Sequence, residues 1–157
     1  MRTLMTQTFT FHDITTMRRT VAQHAAACGL SGSRLDDFVL AVHESVVNVV
    51  EHAGGYGHFR LWTVDGVIRS ETRDRGAGIP DGYVNGHHRP SDQGASGRGI
   101  YLIRRLCDSV DFRTGAGGTT VRLTMRLPRK CAGDGRLTMR RVRVTAGGGD
   151  SLGDFTA

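Results

Sequence analysis

Three polar residues, Glu44, Asn48 and His52, recur at intervals of four. In a helix they would stack along one line beside the apolar stripe of Leu35, Phe38, Val39, Val42, Val46, Val49 and Val50. A carboxylate and an amide one turn apart, at the edge of a buried face, have the form of a site; the plain counterpart is an ordinary polar flank. Further on, Asp74-x-Gly76-x-Gly78 sets a carboxylate among residues with no side chain. Backbone can approach a ligand closely there, and the carboxylate can accept a hydrogen bond from an exocyclic amine such as that of adenine. Taken alone, the same pattern also describes a simple turn. Gly97-Arg98-Gly99 precedes a helical pattern, where unpaired N–H groups and the positive end of the helix dipole suit phosphate. It is neither a Walker A loop, since no Gly-Lys-Ser/Thr follows, nor a dinucleotide fingerprint, since it does not directly follow a strand pattern and lacks the third glycine.

The elements that must carry these residues follow from periodicity. Residues 7–11 alternate as a short strand, and Asp13 caps a helix with Ile14, Met17, Val21, Ala25 and Cys28 at helical spacing. Gly29 ends it at a position that commonly needs φ > 0. Ser33 and Asp36 resemble a capping box that opens the helix of Glu44 and Asn48, which stops at Gly54-Gly55. Residues 58–64 and 67–72 read as strands around Asp65-Gly66, a strong hairpin signal. The second strand leads into Asp74. Residues 81–96 hold almost no apolar periodicity, as expected of a lid or binding loop. A helix follows from Gly97, then strands over 110–114 and 120–127. The order β, α, α, β, β, loop, α, β, β predicts an α+β fold, an α/β sandwich whose mixed, largely antiparallel sheet is covered by helices on one face. Trp62 reads as a sheet residue packed on a helix, His52 as packed near its helix end, and His87-His88 as a solvated pair rather than a metal site.

The chain has 157 residues, 38% hydrophobic and 23% charged, which suits one globular domain with a core. No apolar run approaches the roughly 18–20 residues of a membrane span, and residues 1–7 show no secretory h-region, so a cytoplasmic location is expected. Cys28, Cys107 and Cys131 are odd in number and widely spaced, which suits reduced, buried thiols. The formal charge is +6, yet from Arg129 onward six Lys/Arg face three Asp. Half of the excess therefore lies on the tail, which weakens nucleic-acid binding as a role for the body. The division expected is a domain over 1–128 and a basic, Gly-containing, partly disordered extension over 129–157.

The order of motifs is more specific than any one of them: helix with Glu-x-x-x-Asn, strand-Asp-x-Gly-x-Gly, glycine-rich lid, Gly-x-Gly-helix, and Gly-Gly-Thr before the last strand. Over roughly residues 7–127 the chain resembles the GHKL, or histidine-kinase-like, ATPase superfamily, in the short form of the anti-sigma-factor serine/threonine-protein kinases. The resemblance implies ATP and Mg²⁺ as ligands. It implies that Asn48 ligates the metal and that Glu44 is the base orienting or deprotonating an attacking hydroxyl. It also implies that Asp74 reads adenine, with Gly76 and Gly78 shaping the pocket and Thr119 supporting it. Gly97 and Gly99 would lie at the phosphates, where Arg98 could neutralise charge or simply form a surface salt bridge.

The function so implied is a kinase that binds a sigma factor and phosphorylates an anti-anti-sigma antagonist on Ser or Thr, in partner switching. Related kinases are often homodimers, and the resemblance extends that to this chain. The alternative is a non-catalytic module that binds ATP and Mg²⁺ and regulates transcription by changing partner affinity. Direct nucleic-acid binding through the tail is not expected, because the tail lacks aromatic residues interleaved with its charges.

Overall fold

In the computed structural model, the residues described are 1–78 and 98–129. The lid over 81–96, His87, His88 and Gly97 lie outside them, as does the tail from residue 130. Strand β1 (Arg2–Thr10) leads through a 3₁₀ turn (Phe11–Asp13) into α1 (Ile14–Ala27) and α2 (Gly32–His52). Then come β2 (Tyr56–Val64), β3 (Val67–Arg73), α3 (Arg98–Leu106), β4 (Ser109–Gly115) and β5 (Gly118–Arg126). The five strands form one sheet in the order β1-β2-β3-β5-β4, and every pairing is antiparallel. The α+β sandwich expected is therefore present, with a fully antiparallel sheet among the described residues.

Local chemistry accounts for most boundaries. Asp65 and Gly66 have φ of 47° and 74°, the left-handed pair a tight hairpin between twisted strands requires. Gly29 has φ of 105°, with its N–H donating to the Ala26 carbonyl and that of Leu30 to the Ala25 carbonyl. This satisfies the last carbonyls of α1 in a Schellman motif and drives Leu30 into the core. Two expected caps differ. Asp13 does not cap α1 with its side chain; its Oδ2 accepts from Thr10 N at 2.8 Å and Thr10 Oγ1 at 3.1 Å, reaching back across the 3₁₀ turn. Ser33 and Asp36 lie inside α2, whose N-cap is Ser31. Strand β1 also begins earlier than its alternation indicates, because residues 2–6 are held by pairing with β2.

The core lies between the helices and one face of the sheet. Phe38, Val42, Val46 and Val49 of α2 meet Phe59, Leu61, Ile68, Val121 and Leu123 there. Each such large side chain contributes roughly 1.5–3 kcal/mol by leaving water. Ser45 lies in the same buried stripe; its hydroxyl donates to the Val42 carbonyl at 2.8 Å and pairs with Thr72 Oγ1 at 2.9 Å. Trp62 departs from expectation. Its neighbour Leu61 faces the helices, so strand alternation turns Trp62 to the opposite face, where Arg60 and Arg122 lie 5.1 and 5.8 Å from its ring. At the other end of α2, the Arg34 guanidinium donates to Asp108 at 2.6 Å and to the Arg126 carbonyl at 3.1 Å. Asp108 also accepts from Arg126 N at 2.7 Å, so the start of α2 is tied to the end of β5.

Candidate functional site

The crossover from β3 through α3 to β4 leaves β5 beside β3, with Arg73 opposite Thr120. The next residues continue the contact: Asp74 N donates to the Thr119 carbonyl at 2.9 Å. Asp74 Oδ1 accepts two backbone hydrogen bonds, from Gly76 N at 2.8 Å and Thr119 N at 3.0 Å. The carboxylate is thus fixed by main chain on both sides, in a residue only 9% exposed. Oδ2 is the oxygen that can accept from an incoming amine. Thr119 is buried, and its hydroxyl pairs with Thr114 Oγ1 at 3.1 Å.

Glycines let these segments meet. A Cβ on Gly118, which has φ of 116°, would overlap the Asp74 carbonyl and approach Arg75 Cα to 2.8 Å. Gly76 lies against Ala53 at the end of α2, and Gly78 against the Gly115 carbonyl and Thr114. The turn before β5 and the segment after β3 therefore form one wall, seated on the last residue of α2's cap.

Glu44 and Asn48 are half-buried, one turn apart on α2, and α3 packs against that helix. Within that contact Gly99, itself buried, faces Glu44 and Asn48. A Cβ there would come within 2.9 Å of Glu44 Oε2 and 3.2 Å of Asn48 Oδ1. The start of α3 thus reaches the Glu44 and Asn48 head groups without a side chain between them. Arg98 is exposed beside it. The Ser45–Thr72 hydrogen bond links the residue after Glu44 to a residue two before Asp74, holding helix and strand in register.

Of the predicted site residues, Asp74, Gly76, Gly78 and Thr119 come together in one wall, and Glu44, Asn48 and Gly99 in a second group; Gly97 lies outside the described residues. His52 is not packed at its helix end: its side chain is 54% exposed, with Nε2 3.7 Å from Glu51. Sequence reasoning missed Thr114, Ser45 and Thr72. For Gly118 the Gly-Gly-Thr motif was a signal that named only the threonine. Cys28 and Cys107 are free and half-buried. Burial pushes the Cys107 thiol up to about 12, with Asp108 and Asp37 adding to the effect, so it stays neutral and unreactive near pH 7.

Residues 8–125 match the histidine kinase-like ATPase domain. The chain belongs to that family. The fold agrees with solved structures of similar proteins. The RsbU and RsbW domains of Rv1364c from Mycobacterium tuberculosis align with a TM-score of 0.55 at 24% identity, covering 78% of this chain and 32% of that one. The histidine kinase domain of the Erythrobacter litoralis EL346 blue-light activated histidine kinase aligns with a TM-score of 0.52 at 17% identity, covering 71% and 65%. This chain therefore spans about a third of the first and just under two thirds of the second.

An ATPase domain implies ATP as ligand, and the residues present fit it. A carboxylate held by two N–H groups suits an amine-bearing base, and a glycine at a helix start opposite a carboxylate and an amide suits phosphates. Among the described residues no cluster of three or more His, Cys, Asp or Glu could hold a metal by itself. Nor is any described helix long and apolar enough to cross a membrane.

Proposed function

We propose that this chain is an ATP-dependent serine/threonine-protein kinase of the anti-sigma type, which binds a sigma factor and phosphorylates an anti-anti-sigma antagonist. The observation that carries the reading is the approach of Gly99 to the Glu44 and Asn48 head groups. It supports a reading in which Glu44 is the general base, Asn48 offers a side-chain oxygen to a hard cation and the start of α3 borders the phosphates. In this reading Asp74 accepts from the adenine amine, and Gly76 and Gly78 let the base approach. Thr119 holds Asp74 through its N–H. Gly97 and Gly99 border the phosphates, with Arg98 offering positive charge. Asn48 would hold Mg²⁺, which together with phosphate oxygens and waters would neutralise charge on the transferring group.

Glu44 orients the protein hydroxyl and takes its proton as the oxygen bonds to the γ-phosphorus and the bond to the β-phosphate oxygen breaks, releasing ADP. The work asked of the protein is chiefly positioning, which the hydrogen bond between the Ser45 and Thr72 hydroxyls supports by fixing α2 on the sheet.

The test is ³²P transfer from ATP to candidate antagonists encoded in the same genome, with wild type and Glu44→Ala. The kinase reading expects acid-stable label on Ser or Thr, lost by about 10²-fold or more in the variant while ATP binding persists. Acid-labile label would indicate a histidine acceptor instead. ATP binding with partner release but no Glu44-dependent transfer would favour the alternative, a non-catalytic ATP/Mg-dependent binding module.

A further inference from the structure

The sheet has a second face, turned away from the helices. Strand alternation and register place three rows on it: His58, Arg73, Thr120 and Arg113; then Arg60, Glu71, Arg122 and Asp111; then Trp62, Arg69, Thr124 and Ser109. Arg126 lies beyond them on the same side, opposite Val67. Among the described residues, this face therefore carries six arginines against two carboxylates. One of the six, Arg122, is paired with Glu71 at 2.7 Å.

We propose that this open face docks an acidic surface of a partner protein. Charge complementarity carries the choice of occupant. Two copies meeting face to face about a two-fold axis would set arginines against arginines, so a second copy of this chain is a poor fit. Residues 130–157 are no better matched, since five Lys/Arg there outnumber three Asp. A nucleic acid fits less well than an acidic protein for two reasons. Glu71 and Asp111 stand in the middle row, where a continuous phosphate backbone would meet both carboxylates; a protein surface can offer a donor at that point. Trp62 is 6% exposed and lies under Arg60 and Arg122, so it fixes two guanidinium groups and gives no platform for a base. A depression of ≈ 470 Å³ has Arg73, Arg113, Arg122 and Glu71 in its lining, together with Arg104 of α3 and Phe112 of β4, with room for carboxylate side chains. Arginine's planar fork suits such carboxylates bidentately.

The inference goes beyond the kinase reading, because it concerns binding on the face opposite α2 and stands whether or not phosphoryl transfer occurs. The test uses the full chain and two fluorescein-labelled probes, a peptide of alternating Glu and Ser and a short DNA duplex, followed by anisotropy at low and physiological salt. The peptide is expected to bind, to weaken with salt, and to lose at least ~10-fold in affinity in Arg73→Glu/Arg113→Glu. ATP binding should be unchanged in that variant. Arg73→Gln/Arg113→Gln, which removes charge without reversing it, should show a smaller loss in the same direction. The proposal is overturned if the peptide does not bind, if both variants bind it like wild type, or if the duplex binds more tightly with the same arginine dependence. A homodimer that these variants dissociate would overturn it as well.

Discussion

At the Asp74 end of the site the polar group is held by backbone; at the Glu44 end the polar groups are met by packing. Asp74 takes two main-chain N–H bonds on one oxygen, and its own N–H is bonded across to β5. Glu44 and Asn48 project from α2, and α3 approaches them through Gly99. The difference has a physical sense. A ligand group with fixed donor geometry is matched by an acceptor that does not move. In the kinase reading, the groups that must follow a changing charge during transfer sit on flexible side chains whose place is set by the helix beneath them. Steric damage at the first end should therefore reach the fold, and steric damage at the second should reach activity alone.

The largest expected effect is from Gly118→Val. A β-branched residue at φ of 116°, with its Cβ overlapping the Asp74 carbonyl, must part β5 from the segment after β3. Stability should fall by about 3 kcal/mol or more, measured by urea unfolding. A cost below about 1 kcal/mol would break the claim that this wall is rigid.

Next is Asp74→Asn. The two backbone N–H groups demand an oxygen at the Oδ1 position, so the amide nitrogen must occupy the Oδ2 position, which in the proposed reading sets a donor against the adenine amine. ATP affinity should drop by about 1.5–3 kcal/mol, roughly 10–100-fold. Inosine triphosphate, with a carbonyl in place of the amine, should lose less. Calorimetric titration with both nucleotides distinguishes this from general damage, which would weaken them alike.

Gly99→Ala sharpens the contrast from the other side. Its methyl group would crowd the ends of Glu44 and Asn48, which can swing aside, so stability should change by about 1 kcal/mol or less. In the kinase reading, transfer should nevertheless fall by about 10-fold or more through misplacement of Glu44. A variant that unfolds, or one with full activity, would undo the distinction between the two ends.

The smallest effect lies outside both. The Arg34 guanidinium, through its hydrogen bond, holds the Asp108 carboxyl below its ordinary 3.8, with the Arg126 N–H adding to it. A carboxyl lowered in the folded state stabilises the protein above the unfolded value, and that contribution is lost as pH falls through the folded one. Because the pair is partly exposed, it contributes about 1 kcal/mol or less. The stability gap between wild type and Asp108→Asn should be constant near neutrality and close below pH 3.8.

The sequence by itself determined what neighbouring residues can enforce. The Asp65-Gly66 turn, the Gly29 stop and the apolar stripe of α2 are each set by φ preferences or by a period of two or 3.6 residues, so they are legible within a few positions. So were Glu44, Asn48, Asp74, Gly76, Gly78, Gly99 and Thr119 as candidates, since their motif order survives without coordinates. Tertiary structure decided what depends on register and strand order. Leu61-Trp62 offers two adjacent apolar residues, and only the position of the helices settles which faces the core. Ser45 reads as a polar gap in a helix until Thr72 is opposite it. Arg34 and Asp108 are 74 residues apart and meet only because β4 and β5 fold back against the start of α2. Gly118 looks like one more turn glycine until strand order sets β5 beside β3, and the Asp74 carbonyl then takes the space where a side chain would be. Such contacts are made by backbone packing across the sheet, and no local pattern encodes them.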